Sequence, residues 1–260
     1  PVAIVSLYGD GQQPGNRLAV VDLMERSVRH VSLEPYLRPH GLALVPDSAS
    51  VLVTAEQNDT VLLVDYPRGQ VTATRQVPGR VPHMVVALGD GSGGYASSIS
   101  GASVARVPLG GGEVQSAAVG AGAEGIATTQ DGSEVWVGSN EENELHVLSA
   151  GLDMLDVLPT CNVPIRVTRV GERLMAATCY GENAVQLFDV ESHEVRTTVR
   201  LPGSNGRPVG TLATADGARL YVATTADGLA HEIDVANGEV LRSFEAGTEP
   251  DGLALVTLVR

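Results

Sequence analysis

The chain has 260 residues, with 17 Lys and Arg against 31 Asp and Glu, a formal net charge of −14. That balance argues against a nucleic-acid partner, since phosphate binding runs on clustered cations and none are clustered here. A hydrophobic share of 43% supports a buried core, and no apolar run approaches the ~20 residues that span a bilayer, so a membrane partner is not expected either.

In chain order, Val2-Ala3-Ile4-Val5, Arg17-Leu18-Ala19-Val20-Val21-Asp22 and Val28-Arg29-His30-Val31 read as three short strands. A repeat then begins. Six segments align: Pro39-His40-Gly41-Leu42-Ala43, Pro82-His83-Met84-Val85-Val86, Ala123-Glu124-Gly125-Ile126-Ala127, Pro164-Ile165-Arg166-Val167-Thr168, Pro208-Val209-Gly210-Thr211-Leu212 and Pro250-Asp251-Gly252-Leu253-Ala254. Their second positions are spaced by 43, 41, 41, 44 and 42 residues. After each comes a short apolar strand and a tight turn, as at Pro46-Asp47-Ser48, Asp90-Gly91, Asp131-Gly132, Gly171-Glu172 and Asp216-Gly217. Asp-Gly supplies the positive φ that such a hairpin needs. A second strand follows, then a polar loop, a third strand such as Thr60-Val61-Leu62-Leu63-Val64-Asp65, and a fourth such as Val71-Thr72-Ala73-Thr74.

Four short strands per repeat without any 3.6-residue periodicity predict an all-β fold, a six-bladed β-propeller of four-stranded antiparallel blades. The final Gly252-Leu253-Ala254-Leu255-Val256 reads as a lone first strand that joins the N-terminal three, closing the ring and leaving no open edge. One domain over residues 1–260, working as a monomer, is expected.

These stretches resemble the YVTN β-propeller repeat: Pro-x-Gly, a small-apolar strand, a Pro-Asp-Gly turn, a Tyr-Val-Thr-Asn-like strand end and a third strand ending in Asp. The closing Asn is replaced by Ala55, Ser98, Ser139, Cys179 and Thr224. The resemblance covers the whole chain and implies the fold. Relatives of that family include surface proteins, lactonase-like enzymes and a streptogramin lyase, so it implies no single activity.

In a propeller the first strands line the central channel, and the loops before them and after the second strands open on one face. The x position of the repeat reads His40, His83, Glu124, Ile165, Val209 and Asp251. Four polar groups on consecutive blades face two apolar ones. Asp251, His40, His83 and Glu124 are oxygen and nitrogen ligands for a divalent ion, with His40, His83 and Glu124 also serving as acid and base groups. Against this stands a wet channel lined by polar residues that holds no ion.

The loop after the second strand reads Glu56, Ile99, Asn140, Tyr180 and Thr225, with Tyr8 near the matching place in the first blade. Glu56 is a further candidate ligand, and Asn140, Tyr8 and Tyr180 are candidate substrate contacts. Gluconolactonase-like propellers offer an analogy, holding their metal by a Glu, an Asn and an Asp from such loops. Arg166 replaces the repeat glycine and suits either a substrate carboxylate, gripped in a bidentate fork, or an ion pair with a neighbouring blade's acid. Arg38 and Arg207 read as solvated rim residues.

Cys161 and Cys179 bracket one hairpin and read as a disulfide, two free thiols or a reactive thiol. Removal of an initiator Met would leave Pro1 at the terminus, so a cytoplasmic address is expected, and in that setting free thiols lead. If Pro1 follows a removed signal, the address is periplasmic or secreted. Gly89-Asp90-Gly91-Ser92-Gly93-Gly94 fits G-x-G-x-x-G but has no helix after it, so no nucleotide cofactor is expected. Asp22, Asp65, Asp189 and Asp234 read as turn formers. His30, His146, His193 and His231 read as surface residues.

Two functions fit. One is an enzyme whose channel mouth performs metal-assisted lactone hydrolysis or lyase-type elimination on a small polar or carboxylated substrate. The other is a non-catalytic binding or scaffold propeller for a small molecule, peptide or protein. The lopsided polar ring favours the enzyme.

Overall fold

Runs rich in Val, Thr and Leu, each four to nine residues long and closed by Asp, Asn or Gly, fit strands and are too short for stable helices. The computed structural model describes residues 1–256, as 23 strands, one 3₁₀ turn at Glu56–Asn58 and no α-helix.

The first sheet holds β1 (Val2–Gly9), β2 (Pro14–Asp22) and β3 (Ser27–Ser32). The second holds β4 (Pro39–Leu44), β5 (Ser50–Ala55), β6 (Thr60–Asp65) and β7 (Gln70–Gln76). β8 (Pro82–Ala87), β9 (Gly93–Ser98), β10 (Ser103–Pro108) and β11 (Gln115–Ala118) form the third. The fourth contains β12 (Ala123–Thr128), β13 (Glu134–Ser139), β14 (Glu144–Ser149) and β15 (Met154–Pro159). The fifth contains β16 (Pro164–Val170), β17 (Leu174–Cys179), β18 (Ala184–Asp189) and β19 (Val195–Arg200). The sixth contains β20 (Pro208–Ala213), β21 (Arg219–Thr224), β22 (Leu229–Asp234) and β23 (Glu239–Glu245). Every sheet is an antiparallel meander, and the fold is a six-bladed β-propeller.

The chain clusters into two compact units, Pro1–Val119 with Val256, and Gly120–Leu255. In the first unit Leu18, Val31 and Leu33 pack on Val51, Val53 and Leu62, and Leu52, Val61 and Val85 pack on Ala96 and Val107. In the second unit Trp136, Leu145 and Val147 pack on Met175 and Phe188, while Leu187, Val185 and Val199 pack on Leu220 and Ile233. Each cluster fills the space between consecutive sheets.

The turns repeat as the strands do. The residue before each repeat segment has positive φ: Arg38 (55°), Val81 (59°), Gly122 (69°), Val163 (58°), Arg207 (56°) and Glu249 (49°). Asp22, Asp65, Asp189 and Asp234 accept backbone N–H bonds within their turns, as expected of turn formers.

Three expectations are corrected. Residues 251–256 carry no strand, and the first sheet has three strands among the described residues. Asp251 itself keeps its place in the repeat, since a Cβ at Gly210 would come within 1.5 Å of its carbonyl oxygen, as one at Gly41 would approach that of His83. Cys161 and Cys179 form a disulfide rather than free thiols, because Pro164 pairs with Cys179 in the ladder and brings the two Cα atoms to 5.5 Å. His146 and His231 are buried, not on the surface: each is the third residue of a third strand, β14 and β22, whose interior positions are mostly buried.

Candidate functional site

Each first strand carries a bulge at the same place. The ladder skips from Pro39 to Leu42, Pro82 to Val85, Ala123 to Ile126, Pro164 to Val167 and Pro208 to Thr211. The skipped pair is the x residue and the one after it. Bulges re-aim side chains and leave backbone groups without a ladder partner. A hydroxyl on the second strand takes up the freed N–H: Thr54 accepts from Gly41 at 2.8 Å, Ser97 from Met84 at 3.3 Å and Thr178 from Arg166 at 2.9 Å. Thr54 also donates to the His83 carbonyl at 2.8 Å, tying β4 to β8.

Glycine at position 41 permits that approach, since a Cβ there would lie 2.7 Å from the His83 carbonyl oxygen. Gly125 does the same beside β16, where a Cβ would lie 2.5 Å from the Val167 nitrogen. The glycine of the repeat is thus a strand-packing residue, and the x side chains of successive strands are brought side by side.

In the first unit this gathers Tyr8, His40, Glu56 and His83. Glu56 follows β5 on the 3₁₀ turn and is only 6% exposed. Its Oε2 accepts the Tyr8 hydroxyl at 2.6 Å, and its Oε1 lies 2.6 Å from His83 Nδ1. The His40 and His83 rings stack, centroids 3.9 Å apart and 25° from parallel, and Tyr8 meets His40 edge-on at 5.5 Å. One ligand atom from each of His40, Glu56 and His83 lies within 4.8 Å of the others, a spacing a single ion can bridge.

Burial alone would raise the Glu56 carboxyl, but the hydrogen bonds from His83 and Tyr8 outweigh it and hold the group below its ordinary value. Burial, and then the Glu56 carboxylate, push the Tyr8 phenol up. A carboxylate that stays charged beside a phenol that stays protonated is the result.

In the second unit Arg166 is buried between two acids. Its guanidinium donates to Glu124 Oε1 at 2.8 Å and to Asp251 Oδ1 at 3.2 Å. Asn140 donates to Glu124 Oε2 at 2.5 Å. Glu124, Asp251, Asn140 and Arg166 therefore form one network, and the Arg166 donors expected for a substrate carboxylate are spent on protein acids. Tyr180 carries the Arg207 guanidinium 5.6 Å from its ring centroid, and Tyr8 carries that of Arg38 at 4.9 Å. Both arginines precede a repeat proline and lie over a tyrosine ring; Arg207 is exposed, as a rim residue should be, and Arg38 is half-buried. Ile165 and Val209 contribute no polar group.

The second-strand hydroxyls and the arginine–tyrosine pairs were absent from the sequence reading. Aligning the position before Ala55, Ser98 and Cys179 would have exposed Thr54, Ser97 and Thr178 as a repeated hydroxyl.

No family model matches the chain, and no curated protein matches it in sequence. Solved structures do match its fold. Virginiamycin B lyase from Staphylococcus aureus superposes with a TM-score of 0.81 at 15% identity, covering 98% of this chain and 92% of the lyase. A catalytically inactive variant of that lyase with quinupristin gives 0.80 at 14% identity, over 98% and 93%. Hydrazine synthase from Kuenenia stuttgartiensis gives 0.76 at 16% identity, over 92% and 83%. Identities this low establish the fold and nothing finer.

Proposed function

We propose that Tyr8, His40, Glu56 and His83 form the active site of an enzyme that carries out lyase-type proton chemistry on a small polar molecule. The observation that carries this reading is the buried Glu56 carboxylate, held at 2.6 Å by both a phenol and an imidazole. A carboxylate on His83 Nδ1 keeps the hydrogen there and leaves the lone pair on Nε2, the arrangement of an oriented general base. Two stacked imidazoles 3.9 Å apart disfavour a double positive charge, since like charges at ~4 Å repel by about 4 kcal/mol at an effective dielectric of 20. The pair therefore works with one proton, one ring taking it and the other giving it.

Elimination needs those two acts. A base removes a hydrogen beside a carbonyl, the electrons form a carbon–carbon double bond, and an acid protonates the departing oxygen. Alternatively, His40, Glu56 and His83 would hold a divalent ion that would supply Lewis-acid polarisation of the substrate carbonyl, in which case the lone pairs given to the ion would not serve as the base. The same groups would serve hydrolysis of a lactone by water. Two structures of the same fold bear the name of a lyase that acts on virginiamycin B, which supports elimination as the first chemistry to assay. Membership of the YVTN-repeat propellers remains part of this proposal and rests on the repeat itself.

The Cys161–Cys179 disulfide favours an oxidising compartment over the cytoplasm. No helix among the described residues is long and apolar enough to cross a membrane.

The test assays cyclic esters and lactones for ester loss, watching ultraviolet absorbance of a new conjugated double bond beside acid release. Wild type should turn over at least one of them, and Glu56→Gln and His83→Asn should each lose about 10²–10⁴-fold in kcat while the fold persists. Elemental analysis of wild type against His40→Ala/His83→Ala should show an ion that the double variant lacks. Turnover equal in all proteins would remove the site from the chemistry. Ligand binding without turnover would make the molecule a binding propeller.

A further inference from the structure

The third position of the third strand carries a histidine twice, His146 on β14 and His231 on β22. His231 is fully buried and satisfied by hydroxyls: its Nε2 lies 3.1 Å from Thr224 Oγ1 and its Nδ1 2.7 Å from Ser243 Oγ. It shows what this place needs when it serves packing alone.

His146 has different hydrogen-bond partners. It is 6% exposed, and its Nε2 accepts the Gly120 N–H at 3.0 Å. That bond puts the ring hydrogen on Nδ1, which is buried without a partner. Nε2 also lies 3.5 Å from Glu144 Oε2. A nitrogen that presents a lone pair has no hydrogen to offer a carboxylate, so two acceptors face one another.

Two more oxygens converge on the same spot. A Cβ at Gly120 would lie 2.3 Å from Glu142 Oε2, 2.7 Å from His146 Nε2 and 2.7 Å from Ser139 Oγ. Ser139 is fully buried and its Oγ has no partner, although it points among these groups. Atoms from Glu142, Glu144 and His146 all lie within 4.8 Å of one another. Glu142 is exposed and Glu144 half-buried, so the cluster opens to solvent.

We propose that Glu142, Glu144 and His146, with Ser139 beside them, bind a divalent transition-metal ion at the β13–β14 turn. An imidazole with two carboxylates is a ligand set for Mn²⁺ or Zn²⁺. A cation there resolves the facing acceptors at His146 and Glu144 and gives the Ser139 hydroxyl oxygen a partner. All four residues come from one hairpin, so the ion would pin that turn to the segment at Gly120 as a structural clamp.

The experiment uses full-length protein stripped by chelator and carrying Glu56→Gln/His83→Gln, which removes ligands of the Tyr8 cluster. Mn²⁺ is titrated with loss of its free electron paramagnetic resonance signal as the readout, and Zn²⁺ by calorimetry. One equivalent of at least one ion should bind and raise the unfolding temperature. Adding Glu142→Gln/Glu144→Gln, changes at exposed and half-buried positions, should weaken it at least about tenfold with the circular dichroism spectrum unchanged. No saturable uptake of either ion in the first background would overturn the proposal, as would uptake that ignores the glutamate pair. Because the Tyr8 cluster is disabled throughout, neither outcome depends on the enzymatic reading.

Discussion

At the scale of single residues, the two buried charge networks ask for opposite experiments. Arg166 and Glu124 are both largely buried and 2.8 Å apart. Removing one partner of such a pair leaves an uncompensated buried charge, which costs about 3–5 kcal/mol. Arg166→Met should therefore lower the urea midpoint markedly, and Arg166→Met/Glu124→Gln should recover much of the loss. If the double variant is no better than the single, the stranded-charge account fails. The Glu56 carboxylate, in contrast, is held by a phenol and an imidazole, so Glu56→Gln keeps most of its shape and tests chemistry more than stability. The x residues of the repeat were legible in the sequence because a strict period exposes any departure from it. That Arg166 faces Glu124 and Asp251 was open, since spacing along the chain says which strands adjoin and not which side chains win a contact.

At the scale of the strand, the bulge and its glycine set how close successive first strands come. A Cβ at Gly41 would press on the His83 carbonyl oxygen at 2.7 Å, on backbone that cannot swing aside. Overpacking of this kind costs about 1–3 kcal/mol. Gly41→Ala should lower the thermal midpoint and, by shifting His83, weaken turnover at the same time. Gly132→Ala makes a fair contrast: its Cβ would meet nothing within 4 Å, and only its positive φ of 72° is strained. Gly132→Ala should thus affect stability and leave turnover nearly intact, and comparable losses of turnover in both would detach the bulge from the site. The strands and turns were readable because alternation and Asp-Gly turns are local signals. The missing strand at 251–256 was not, because strand formation there depends on a partner elsewhere in the chain. The buried His146 and His231 were missed because a polar residue in an amphipathic strand looks solvent-facing until the register is known.

At the scale of the whole molecule, the same turn device recurs throughout the chain and makes its stability answer to acid. Asp10, Asp22, Asp90, Asp131, Asp189 and Asp216 each accept backbone N–H or hydroxyl bonds that hold the carboxyl below its ordinary 3.8, Asp131 at about 2. A carboxyl depressed in the folded state contributes stability that is present above 3.8 and is lost as pH falls toward the folded value. The net charge of −14 acts the other way, since protonating ordinary carboxylates first relieves self-repulsion. Thermal midpoints should therefore hold or rise slightly from neutrality toward pH ~4.5 and fall steeply below pH ~3.8, with the loss continuing toward pH ~2. Salt separates the two effects: it screens the repulsion and should flatten the upper limb, while the turn bonds are short contacts that it barely touches. A midpoint that climbed all the way to pH ~2 would mean that repulsion, and not the aspartate turns, governs the fold.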